Sequence, residues 1–256
     1  FSASWILLTS VLEGEASARV LALAEVAGAP VYLVHLTCRE ALEAVRSARV
    51  RGVRAFAETC PQYLYLSDDK LALPDFEGAK FVCSPPLRDN SHAPALWQGL
   101  CLGDLQVVAT DHCPFNFKGQ KEAGRGDFRK IPNGLPGIET RLTLVHQGVV
   151  EGRLSINRFV DVVATAPAKM FGLHPRKGVL APGADADVVI WDPQKRVDLS
   201  AARLHMRVDY SLYEGQVFTG GPAKVFVGGR LTVDGDRFLG KAGGGRFLRR
   251  RAFVDP

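Results

Sequence analysis

The chain has 256 residues, 46% of them hydrophobic and 23% charged, enough to bury the core of one large domain or two modest ones and unlike a disordered or low-complexity chain. Its formal net charge of +5 comes from the tail KAGGGRFLRRR, which holds Lys241, Arg246, Arg249, Arg250 and Arg251 and no acidic residue; the rest of the chain carries equal numbers of basic and acidic residues. A neutral body offers no phosphate-tracking surface, so no nucleic-acid partner is expected.

Five cysteines (Cys38, Cys60, Cys83, Cys101, Cys113) are an odd number without CxxC spacing, which argues against a disulfide framework or a zinc knuckle and for a reducing, cytoplasmic setting. The opening FSASWILLTSV lacks a basic leader and runs into Glu13 and Glu15, so it suits neither a signal peptide nor a spanning helix, and no membrane partner is expected. A first residue Phe1 in place of Met leads us to expect a processed chain or a fragment.

The segment EGEASARVLALAEVAG (13–28) has apolar residues at helical spacing and closes on Gly28, with Pro30 just beyond. VYLVHL (31–36) then reads as a strand, REALEAVRSARVRG (39–52) as an amphipathic helix and VRAFAE (53–58) as a second strand. This βαβ pattern implies parallel pairing. It recurs with KFVCSPP (80–86) as a strand, HAPALWQGL (92–100) as a helix and LQVVAT (105–110) as a strand that delivers Asp111. About four parallel strands are therefore expected in 31–110. SINRFVDVVATAPAKMFGL (155–173) reads as a helix punctuated by Pro167, and beyond Leu173 short β-rich runs alternate with Gly, Pro and Asp turns, as in an antiparallel module. The fold class read from this order is α/β, with a boundary near Leu173 separating residues 1–173 from 174–256.

In a parallel sheet or barrel, the C-terminal ends of the strands form the active-site rim. His35 ends one such strand and Asp111 follows another. An imidazole and a carboxylate on one rim suit a zinc-like ion, although the same His also fits a hydrogen-bonded structural role and the same Asp a loop cap. His112, one residue on from Asp111, falls on the opposite side of an alternating strand and is expected to pack or to support the site, and Cys113 is expected to pack. His92, His146, His174 and His205 are expected at surfaces or turns. The polar loop FNFKGQKEAGRGDFRKIPNG (115–134) is long enough either to cover a substrate or to form a surface excursion.

The runs AETCPQYLYL, KFVCSPPLRD, GDLQVVATDHCPFNFKGQKEAGRGDFRKIPNGLPGIETR and TAPAKMFGLHPRKGVLAPGADADVVIWDP resemble the dihydropyrimidinase and hydantoinase family of cyclic amidohydrolases. The resemblance implies the C-terminal part of a TIM-like (β/α)8 barrel in residues 1–173, and the C-terminal share of a small β-sandwich with a basic tail in 174–256. It also implies a binuclear Zn2+ centre that opens a cyclic ureide or imide, and a cytoplasmic homotetramer. His35 matches a metal-ligating His at a strand end. Asp111 matches the ligand that also accepts and donates the catalytic proton. Ser84 in CSPP and Asn133 in PNG match positions that hold the substrate ring, partly through main-chain atoms.

The family pattern also has an HxH pair, a carbamylated bridging lysine, another His ligand and a supporting tyrosine, all upstream of the matching region. No HxH occurs in this sequence, and the only lysine beside a barrel strand as read here, Lys80, stands at the entry end. The expected chain is thus the C-terminal half of such an enzyme. A non-catalytic scaffold of the same fold and an inactive gene remnant are the alternatives; His35 and Asp111 together speak against the scaffold.

Overall fold

The computed structural model describes residues 9–252; the expectation for the opening segment therefore lies mostly outside the described residues. Helix α1 (Ser10–Ala27) starts at Thr9, whose side chain caps Leu12 N–H, and stops at Gly28 with φ 62. A residue without Cβ takes that left-handed cap at no steric cost. Strand β1 (Val31–Leu33), helix α2 (Arg39–Val50) and strand β2 (Ala55–Thr59) complete the first parallel unit. Next come the short helix α3 (Pro61–Tyr65), helix α4 (Ala93–Leu102) and strand β3 (Val107–Val108).

These strands form one parallel sheet in the order β1-β2-β3, with Val31 opposite Ala55, Leu33 opposite Ala57 and Glu58 opposite Val107. The expected fourth strand at 80–86 is absent: Glu77–Phe81 is a 3-10 helix and the residues after it are irregular, with a bend at Ser84 and Pro85. Its apolar residues are buried, but not in a sheet. Val82 packs with Ala79 and Ile131 in a satellite cluster, and its carbonyl accepts from Gly134 N–H at 3.1 Å.

Helix α5 (Arg141–Val150) is followed by α6 (Ile156–Val160), a π-turn over Asp161–Thr165 and α7 (Ala166–Met170), which Pro167 opens in its first turn. Then β4 (Val188–Asp198), β5 (Val217–Val227), β6 (Arg230–Asp234) and β7 (Arg237–Phe238) form a four-stranded antiparallel sheet in sequential order. A single core cluster runs from Leu21 and Leu42 through Leu144 to Tyr213 and Phe218, so β5 shares its apolar surface with the helices of the parallel part.

His146 lies in that shared region and is buried, contrary to the surface position expected of it. Its Nδ1 is 3.0 Å from the Thr219 carbonyl and its ring packs on Phe159 and Trp191. Gly220, at φ 95, leaves room for it: a Cβ there would stand 2.2 Å from His146 Nδ1. His92, also expected at the surface, is buried at the start of α4, where Nδ1 accepts from Arg39 N–H at 3.3 Å. All five cysteines are free, with Cys113 exposed rather than packed away. Among the described residues no helix is long and apolar enough to cross a membrane.

Glu13 anchors α1 to the loop that leaves β1. Its carboxylate accepts from Thr37 N–H at 2.9 Å, from the Thr37 hydroxyl and from Arg88 Nη2 at 2.7 Å. The paired charges are largely screened from solvent, with side-chain exposures of 15% and 10%. Breaking a buried pair strands the remaining charge, so Glu13→Ala is expected to lower the unfolding free energy by about 3 kcal/mol, read by urea denaturation. A loss within about 0.5 kcal/mol would assign the cluster to ordinary surface pairing.

Candidate active site

Both rim residues singled out in the sequence sit where the backbone breaks from the strand. His35 has φ 43 and Asp111 φ 48, two of four non-glycine residues in the left-handed region among the described residues. Such conformations cost about 1–3 kcal/mol each and persist only where the surroundings enforce them.

The surroundings here are the exit of β2. Leu36 N–H donates to the Glu58 carbonyl at 2.8 Å, and the Thr59 hydroxyl donates to the Leu36 carbonyl at 2.7 Å. On the other side Ala109 N–H donates to the Thr59 carbonyl at 2.9 Å, and Gln62 Nε2 donates to the Thr110 carbonyl at 3.3 Å. The residue after His35 and the residue before Asp111 are thus held by one central strand end. His35 is half-buried and Asp111 exposed, so both are accessible from the rim.

Between them stands Glu58, a residue overlooked in the sequence. Its carboxylate accepts from the Tyr32 hydroxyl and from His35 N–H, the latter at 3.3 Å. It lies close enough to His35 and Asp111 to feel both electrostatically. The signal that marked Asp111, a carboxylate closing an apolar strand, is equally present in AFAET. Burial holds the Glu58 carboxyl above the usual carboxylate range; the Tyr32 and His35 hydrogen bonds pull it back and Asp111 pushes it up further. Arg141, donating to the Val108 carbonyl at 2.8 Å, places a half-buried cation near Glu58.

The remaining expected site residues are brought to neighbouring loops. Ser84 and Asn133 are both exposed on otherwise buried segments, and the bond from Gly134 N–H to the Val82 carbonyl joins those segments. Gly134, at φ 150, fits because a Cβ would stand 2.3 Å from the Cys113 carbonyl oxygen. His112 supports the same region: its Nδ1 accepts from Gly137 N–H at 3.0 Å and from Ile138 N–H at 3.3 Å, and desolvation lowers its pKa. The long loop is anchored at Asp209, whose carboxylate accepts from Phe117 N–H at 2.6 Å and Lys118 N–H at 2.9 Å.

Among the described residues, no group of three or more His, Cys, Asp or Glu side chains is arranged to hold a metal ion. His35 and Asp111 offer a borderline nitrogen and a hard oxygen, a donor pair suited to a divalent ion but only part of a full ligand set. Glu58 is engaged by Tyr32 and His35 and supports them.

The amidohydrolase family model matches residues 9–232. The chain belongs to the amidohydrolase family. It is 53% identical over 241 residues to a D-hydantoinase of Streptomyces coelicolor, covering 94% of this chain and 52% of that protein. It is 45% identical over 246 residues to a D-phenylhydantoinase of Escherichia coli, covering 95% of this chain and 53% of the relative. Among solved structures, a dihydropyrimidinase from Brevibacillus agri superposes with a TM-score of 0.95 at 46% identity, covering 97% of this chain and 54% of that one. The chain spans about half the length of the curated relatives it matches.

The raised Glu58 pKa has a definite sign in pH titration. A carboxyl whose folded pKa exceeds its unfolded value stabilises fully below the unfolded value, and that contribution is lost as pH rises through the folded one. Urea denaturation of the metal-free protein is expected to show unfolding free energy falling as pH climbs above the ordinary glutamate range, with a flatter profile for Glu58→Gln. Equal slopes for the two proteins would contradict the assignment.

Proposed function

We propose that this chain supplies one side of a divalent-metal hydrolytic site, and that the protein carrying it opens the cyclic amide bond of hydantoins or dihydropyrimidines. The observation that carries this reading is the pairing of His35 and Asp111 at adjoining strand exits around Glu58, with Ser84 and Asn133 exposed on joined loops nearby. The D-hydantoinase and dihydropyrimidinase names of its relatives support the same chemistry.

In this reading the three parallel strands are the last part of a TIM-like barrel, and the antiparallel sheet is one share of a β-sandwich that begins after Leu173. The chain is the C-terminal half of the enzyme. An upstream half supplies the HxH pair, the bridging lysine, the further His and the tyrosine. The assembled protein is a cytoplasmic homotetramer.

His35 and Asp111 would hold zinc, which when bound would lower the pKa of water and polarise the ring carbonyl. Asp111 accepts the proton of the attacking water and returns it to the departing ring nitrogen, a carboxylate acting as base and then acid. Its exposed position gives it access to both. Ser84 and Asn133 hold the ring amide and carbonyl groups, so that the scissile bond faces Asp111. Glu58 fixes the His35 backbone through its N–H.

In the protein that carries this chain, Asp111→Ala is expected to reduce hydantoin or dihydrouracil turnover by at least about a hundredfold, as loss of an acid–base group does. Near-normal turnover would refute its role. His35→Ala is expected to lower zinc content measured by elemental analysis, and Ser84→Ala to raise KM while leaving zinc content unchanged. The reverse pattern would exchange the two roles.

A further inference from the structure

Lys121 is a charged side chain with no exposed surface, although Lys118, Gly119 and Gln120 immediately before it are exposed. Its Nζ donates to two backbone carbonyls, Val82 at 3.0 Å and Pro132 at 3.1 Å. Val82 lies two residues before Ser84, and Pro132 immediately precedes Asn133. The Val82 carbonyl also accepts from Gly134 N–H, and Cys113 N–H donates to the Leu135 carbonyl at 3.1 Å. One amine therefore stands where the Ser84 segment, the Asn133 segment and the residues following Asp111 converge.

Burial alone gives no reason for an amine, because an unbranched apolar side chain would fill the same volume without the desolvation cost of a charge. The two carbonyls give one. Burial lowers the Lys121 pKa to about 8, partly opposed by Cys83 and Cys113 nearby. An ammonium has three N–H donors and a neutral amine two, so both hydrogen bonds survive in either state.

We infer that Lys121 is a positioning residue that fixes the separation of the Ser84 and Asn133 segments, and with it the width of the ring-binding pocket. This rests on the proposed role of Ser84 and Asn133 as substrate contacts. The arrangement explains why a lysine is drawn inward from a largely exposed stretch of the loop. It also gives that loop a role other than covering the site: its buried side chain spaces two walls of the pocket.

The test compares Lys121→Met, Lys121→Gln and Ser84→Ala with the parent protein that carries this chain, with zinc supplied and with hydantoin and dihydrouracil as probes. Lys121→Met removes the donors, and Lys121→Gln shortens their reach should the first variant not fold. Either variant is expected to raise KM by about tenfold with kcat changed less than about threefold, the signature of lost substrate positioning. Zinc content should be unchanged, and amide exchange in peptides covering 82–87 and 132–137 should accelerate by about tenfold. Unchanged exchange overturns the tie between the segments. Faster exchange with unchanged KM, where Ser84→Ala does raise KM, overturns the link from Lys121 to the pocket and leaves the proposed function standing. If neither Ser84→Ala nor the Lys121 variants alter KM, the substrate role of Ser84 fails and the inference fails with it.

Discussion

The arrangement depends on parallel pairing of one central strand with two neighbours. β2 takes β1 on one edge and β3 on the other, and parallel strands bring like ends to the same side of a sheet. The three strand exits therefore open onto one rim, and the long helical crossovers between them bring residues distant in sequence together there. Hydrogen bonds from Leu36, Ala109 and Gln62 around the end of β2 carry that proximity beyond the ladder. They also supply the restraint that two left-handed non-glycine residues require.

Around this rim, the polar groups that hold backbone in place are buried or half-buried, and those that could meet a ligand are exposed. Glu13 and Arg88 pair beneath the Thr37 turn, while Glu58 takes the Tyr32 hydroxyl and the His35 amide. His112 accepts two backbone N–H groups. By contrast, Asp111, Ser84 and Asn133 are exposed. Each inward-facing group has partners that offset its desolvation, whereas a side chain that must receive a ligand has to remain accessible.

Much of this organisation is legible in the sequence because it is written in local periodicity. Gly28 ends α1 as its position implies, and the βαβ alternation from Val31 to Thr59 gives the parallel pair. His35 and Asp111 stand out as polar residues closing apolar runs. The run at 80–86 misleads for a physical reason: apolar residues signal burial, but burial beside Ile131 needs no ladder. His146 and His92 escape notice because their partners, Thr219 and Trp191 in one case and Arg39 in the other, are distant in sequence. Lys121 is hidden likewise, since no local pattern distinguishes a buried lysine from a solvated one in a polar loop.

The functional account turns on His35 and Asp111 both being ligands of the divalent-metal centre. Anomalous diffraction at the zinc edge, from crystals of the protein that carries this chain grown with zinc, tests it directly. The account requires zinc peaks to which the His35 imidazole and the Asp111 carboxylate are both bound, whether on one ion or on the two ions of a binuclear centre. Zinc held by other side chains, with that pair bare, would contradict it.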